Sequence, residues 1–219
     1  MRLFVALDID DEIREKISSF VGQVREFAPE ARWVRPESLH VTLKFIGEKP
    51  EQEVEKIKLA LGTIESKQIP CHSDPQVEPG AEESLPFFSN GKIEMSIRGY
   101  GFFPTARAPR VFWIGITSDS SLSSLAAAVD EKLSAIGIPK EDHAFNPHLT
   151  LARGAGGSGS PRQRKGDHPN RRFECLQEKL SALPTPEFGS MMAREYFLYQ
   201  SRLSPGGSIY TKLAAFPLR

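Results

Sequence analysis

Two cysteines in 219 residues, Cys71 and Cys175, are too few for a disulfide framework and lack the spacing of a metal-ligand pair. That excludes a small stapled secreted domain and fits a reducing cytoplasm. Net charge is missing as well. Lys plus Arg number 28, Asp plus Glu number 28, so the chain is no general coat for nucleic acid and any RNA contact must be local. Long apolar runs are also absent. The opening stretch Leu3 to Leu7 meets Asp8, Asp10, Asp11 and Glu12 at once and is too short for a signal peptide or a membrane span. A soluble, cytoplasmic protein is expected. A nucleotide-binding loop is excluded by context. The run from Gly154 to Gly159 matches G-x-G-x-x-G, yet Pro161, a basic run and Pro169 stand where the required helix would begin, and no Lys-Ser or Lys-Thr follows.

What is present is a duplicated tetrapeptide, His40-Val41-Thr42-Leu43 and His148-Leu149-Thr150-Leu151, each inside a short apolar run that reads as a β-strand. Side chains alternate along a strand, so each His and the Thr two residues later share one face while the apolar residues share the other. Two such faces lining one cleft would surround an anion with a proton donor, a proton acceptor and two hydroxyls. That is equipment for opening a cyclic phosphodiester without a metal. A single copy would read as a half-buried strand histidine, and the duplication changes that reading. The remaining histidines, His72, His143 and His168, fall in predicted loops and complete no metal-ligand set.

The register of the duplication adds to it. His148 follows His40 by 108 positions, and Phe112 in the run Val111 to Gly115 follows Phe4 in the run Leu3 to Leu7 by the same 108. Two similar lobes are expected, each running strand, helix, motif strand, with pseudo-twofold packing that sets the motif strands side by side. Ile13, Ile17, Phe20, Val21, Val24 and Phe27 recur at helical spacing behind an acidic first turn, with Asp8 or Asp10 as N-cap. Motif strands are expected near residues 39–46 and 145–153. A second helix follows Pro50 with Val54, Ile57, Leu61 and Ile64, a third carries Leu122, Leu125, Val129 and Leu133, and a fourth spans about Arg172 to Leu183. Lys92 to Arg98 alternates as a strand, Gly99 to Pro104 reads as a turn, and two last strands are expected over Met191 to Gln200 and Ser208 to Phe216. The acidic stretch 70–91 and the Gly/Ser-rich, then basic stretch 154–170 read as loop insertions.

The segments His40 to Gly47, Pro147 to Arg153, Arg2 to Leu7, and Leu198 to Ser201 through Ile209 to Thr211 together resemble the 2H phosphoesterase superfamily. Within it they are most similar to the RNA 2′,3′-cyclic phosphodiesterase branch, also called the 2′-5′ RNA ligase family. The resemblance covers most of the chain in matching order and falters at 70–91 and 154–170. It implies an α+β, bilobal, pseudo-twofold fold with two antiparallel sheets lining a central cleft and helices on the outer faces, the chain forming one such domain. It implies hydrolysis of a terminal 2′,3′-cyclic phosphate to a 2′-phosphomonoester, without metal or cofactor. By motif, His40 is the proton donor to the leaving 3′ oxygen and His148 the acceptor that activates water. Thr42 and Thr150 hold the nonbridging oxygens, and Arg153 contacts phosphate. Strict alternation puts Arg153 opposite His148, so that role requires a strand end or a bulge. The expected partners are RNA 3′ ends or nucleoside 2′,3′-cyclic phosphates, with no membrane and a monomeric state. The same residues permit 2′-5′ ligation, and a non-catalytic RNA- or nucleotide-binding module is the alternative of another class. Phe45, Tyr100, Phe102, Phe103 and Tyr210 are candidates for stacking a base, each weighed against ordinary core packing.

Overall fold

The computed structural model describes residues 1–64, 91–154, 173–204 and 207–218. In chain order these form β1 (Arg2–Asp8), α1 (Asp11–Val24), β2 (Arg32–Trp33), β3 (His40–Glu48), α2 (Val54–Gly62), β4 (Ile93–Phe103), β5 (Val111–Ser118), α3 (Ser120–Ser134), β6 (His148–Arg153), α4 (Glu174–Ser181), β7 (Glu187–Ala193), β8 (Glu195–Ser204) and β9 (Gly207–Pro217). The helices are amphipathic as the spacing requires. Ile13, Ile17 and Val24 are the buried stripe of α1, and Asp119 caps α3 by accepting from the Ser121 N–H at 2.9 Å. Asp10 occupies the N-cap position of α1 without a side-chain bond.

The strands make two antiparallel sheets, one ordered β3-β1-β8-β9 and the other β2-β6-β5-β4-β7. Motif strands β3 and β6 occupy equivalent places, each paired with the first strand of its half, β1 or β5. The third strands are exchanged. β4, which closes the first half of the chain, pairs with β5, and β8, near the end of the second half, pairs with β1. Helices cross over too, since α1 packs on β7 of the second sheet and α3 on β3 of the first. The main core lies between sheets and helices, from Leu3, Val5 and Leu7 through Phe112, Ile114, Leu149 and Leu151. A separate small cluster of Phe4, Ala6, Phe197 and Tyr199 covers the other face of the first sheet. The two sheets meet at their motif strands, β6 lying against β3 without sharing its ladder.

Several expectations are corrected. Gly99 to Pro104 is not a turn, because β4 continues to Phe103 through a bulge at Gly99, whose φ of 69° suits glycine. The run Met191 to Gln200 is two strands broken at Arg194, β7 in the second sheet and β8 in the first. The second motif strand starts at His148 rather than at 145. The first strands are also offset by one residue from the 108-position match. Phe4 pairs with Phe45, whose counterpart Arg153 pairs with Val111, so Phe4 corresponds to Val111 and Ala6 to Trp113. A one-residue slip exchanges faces, and the core obeys the structural register, since Leu3, Val5 and Leu7 join Phe112 and Ile114 in the main core while Phe4 and Ala6 lie on the other face. The loop insertions expected at 70–91 and 154–170 fall almost wholly outside the described residues.

Candidate active site

Each motif strand carries the same irregularity. The β1 ladder runs from Ala6–Thr42 to Val5–Lys44 and skips Leu43, and the β5 ladder runs from Trp113–Thr150 to Phe112–Ala152 and skips Leu151. The extra residue leaves two consecutive buried positions in each strand and restores the cleft face one residue late. Thus Arg153 joins His148 and Thr150 on one face, and Phe45 joins His40 and Thr42 on the other wall. His40, His148 and Arg153 lie within electrostatic reach of one another, and Thr42 and Thr150 share the faces of their histidines.

Both imidazoles are held in the same way. The Nδ1 of His40 lies 2.7 Å from the Ser38 carbonyl and that of His148 lies 2.8 Å from the Asn146 carbonyl. A carbonyl only accepts, so Nδ1 carries the proton in each ring and Nε2 is left for a ligand. The Ser38 carbonyl is itself fixed from α1. Arg14 donates to the carbonyls of Pro36 at 2.6 Å and Ile9 at 2.9 Å, tethering the turn Pro36–Ser38 that precedes β3.

Aromatic rings pack around both histidines. His40 lies 4.8 Å from Phe4 and 5.1 Å from Tyr210 between ring centres, and His148 lies 4.9 Å from Phe103 and 6.2 Å from Trp113. Burial therefore pushes His40 down to about 4, against the opposing effects of the Ser38 carbonyl and the Asp8 carboxylate, with the charges of Arg153 and His148 adding to the fall. His148 is lowered for the same first reason, with Arg153 adding to the fall and the Asn146 carbonyl opposing it. The influence of His148 and Arg153 on His40 shows the two walls within electrostatic reach. Asp8, the register partner of His40, accepts from the Tyr199 hydroxyl and pairs with Lys212 at 2.5 Å. Burial and the Asp8 bond raise the Tyr199 phenol, so it stays neutral. A cavity of about 480 Å³ opens beside His40, between Asp8, Asp11, Arg14, Glu37 and Lys212.

The sequence profile of the family described as LigT like Phosphoesterase matches residues 7–74 and 114–210. The chain belongs to this family. Among curated relatives, an RNA 2′,3′-cyclic phosphodiesterase of Archaeoglobus fulgidus is 33% identical over 216 residues, covering 99% of each chain. One of Thermus thermophilus, with the same name, is 33% identical over 227 residues, covering all of this chain and 91% of its own. Of solved structures, a Thermus thermophilus protein superposes with a TM-score of 0.67 at 29% identity, covering 100% of this chain and 98% of the other. E. coli LigT complexed with 3′-AMP superposes at 0.68 and 25%, covering 99% and 97%.

Family membership leaves several site residues that sequence reasoning missed. Phe4, Trp113 and Tyr199 wall the cleft, and Asp8 and Lys212 flank His40. The doubled buried positions Leu43-Lys44 and Leu151-Ala152 are the one local signal that turns Arg153 inward. Of the stacking candidates, Phe45, Phe103 and Tyr210 face the cleft. Tyr100 and Phe102 pack on Phe112 in the core. Among the described residues no three His, Cys, Asp or Glu side chains converge, and no helix is long and apolar enough to cross a membrane.

Proposed function

We infer that this chain hydrolyses the terminal 2′,3′-cyclic phosphate of RNA to a 2′-phosphomonoester, with the two imidazoles as general acid and base and no metal. The observation that carries the reading is the matched pair of histidines on facing walls, each with Nδ1–H bound to a carbonyl and Nε2 available. Water loses a proton to Nε2 of His148 as its oxygen forms the new bond to phosphorus. The bond from phosphorus to the 3′ oxygen breaks, and Nε2–H of His40 protonates that oxygen. Thr42 and Thr150 donate to the nonbridging oxygens, and Arg153 counters their charge. Names carried by the relatives support the substrate class. The protein acts as a monomer in the cytoplasm on this reading.

The test is turnover of a nucleoside 2′,3′-cyclic phosphate in EDTA, followed by phosphorus NMR, which also reports the hydroxyl that keeps the phosphate. His40→Ala and His148→Ala are each expected to lower kcat by about 10² to 10⁴, with folded circular dichroism spectra. The double variant is expected to be little worse than either single one. More than a tenth of wild-type activity in either single variant, or complete loss in EDTA, would overturn the mechanism.

A further inference from the structure

The strand faces that carry the two threonines continue to Phe45 and Arg153. Arg32 is the register partner of Arg153 on β2, so both side chains stand on the face that the β6 bulge turns inward. Arg2 comes from the opposite wall. It lies two residues from Phe4 and shares its face, in a row that runs Arg2, Ser201, Tyr210 across β1, β8 and β9. The Tyr210 ring at the end of that row sits 5.1 Å from the His40 ring, which ties the row to the reacting centre.

Charge divides along the cleft. At the end beside His40, Asp8, Asp11 and Glu37 outnumber Arg14 and Lys212 around the cavity. At the other end Arg2, Arg32 and Arg153 gather, and the carboxylate in register with them is Glu48, the partner of Arg2 on β3. Burial is the first cause that disfavours the charge on Arg153; Tyr210 opposes it, and Arg32 and Arg2 add to the fall, which puts the three guanidinium groups within electrostatic reach of one another. Such crowding of like charge is stabilised by an anion between them, and the planar fork of arginine matches phosphate oxygens in pairs. Ala6, the partner of Thr42, and Arg2 are four residues apart, roughly 13 Å along a strand. One nucleotide and an extended arginine side chain fill that gap together. Phe45, 55% exposed, offers an apolar wall between the two ends.

We propose that Arg2 and Arg32, with Arg153, form a second phosphate subsite that holds the phosphodiester joining the terminal nucleotide to its 5′ neighbour. The site then selects RNA ends over free nucleoside cyclic phosphates. This rests on the hydrolase reading above and refines its substrate. The terminal nucleoside then lies between the two phosphates beside Phe45, and the chain leaves toward the arginines.

Two substrates separate the possibilities: a dinucleotide ending in a 2′,3′-cyclic phosphate, and the nucleoside 2′,3′-cyclic monophosphate that lacks the second phosphate. Arg2→Gln and Arg32→Gln are each expected to raise KM for the dinucleotide about tenfold or more, as for loss of one charged hydrogen bond. The same variants are expected to leave its kcat, and both constants for the mononucleotide, unchanged. Equal effects on both substrates, or none on either, overturn the subsite. Turnover of neither substrate by the wild-type protein overturns the hydrolase reading instead. Binding then still decides the subsite. Anisotropy of a labelled dinucleotide 2′-phosphate against salt is expected to lose about 0.7 from its log–log slope for each arginine removed, and an unchanged slope and affinity refute it.

Discussion

On the proposed mechanism His40 is an acid that must deliver a proton near neutral pH, and its surroundings strip the proton away. At about 4, His40 has its charged form disfavoured by about 3 kcal/mol relative to an ordinary histidine at 6.5, and on the order of one molecule in a thousand carries the proton at pH 7. The missing contribution has an obvious source. One negative charge about 4 Å from the ring, at an effective dielectric of about 20, favours the imidazolium by about 4 kcal/mol. A phosphate in the cleft therefore returns His40 to roughly its ordinary value or above, and the acid is armed by the substrate it attacks. Carbon-detected histidine NMR on the free protein is expected to show His40 titrating far below its usual range. Saturation with a nucleoside 2′-monophosphate is expected to raise it to roughly 6.5 or higher. Calorimetry in buffers of different ionisation enthalpy checks the same point, since binding at pH 7 then takes up a proton. The direction for catalysis follows. Activity falls at high pH as bound His40 loses its proton, and falls at low pH as His148, which must be neutral, gains one. A free-protein value near 6.5, or no rise on saturation, refutes the reasoning.

Two stability predictions follow from packing. A Cβ on Gly101 would stand 2.2 Å from the Trp113 ring, which stacks on Phe103 and borders His148. Gly101→Ala is expected to cost about 1 to 3 kcal/mol by overpacking and to lower kcat by moving that wall, measured by urea denaturation and turnover; unchanged values of both count against the packing argument. Lys44, 2% exposed, bonds the Asp130 carboxylate on α3 and donates to the Pro139 carbonyl at 2.7 Å. Lys44→Ala strands that carboxylate and is expected to cost about 3 kcal/mol, the low end for a broken buried pair because Asp130 keeps some solvent contact. Lys44→Met with Asp130→Leu is expected to recover most of that loss, and a denaturation midpoint that fails to recover assigns the cost to packing instead.

The family was legible because its motifs are written locally. His-x-Thr within a strand fixes a shared face whatever the rest of the chain does, and the helices with one apolar stripe were equally plain. What escaped depends on partners far away in sequence. Arg153 was expected to need a strand end or a bulge, and which of the two it uses is decided by pairing with β5. Arg194 divides β7 from β8 with a single residue, so a continuous apolar pattern hid a change of sheet. Gly99 and Gly101 looked like turn residues. One serves a bulge and the other makes room for the Trp113 ring. The aromatic walls were ambiguous because alternation on β4 sends Phe103 to the cleft and Phe102 to the core, and the bulge at Gly99 decides which is which.

The reciprocal exchange of β4 and β8 has a mechanical consequence. Each sheet is completed by a strand from the other half of the chain, so the two halves of the chain cannot part without tearing a ladder. Every ladder stays within one sheet, and the single residue Arg194 carries the chain from the second sheet to the first. A polypeptide severed between Phe103 and Val111 yields two pieces with incomplete sheets, each the missing complement of the other.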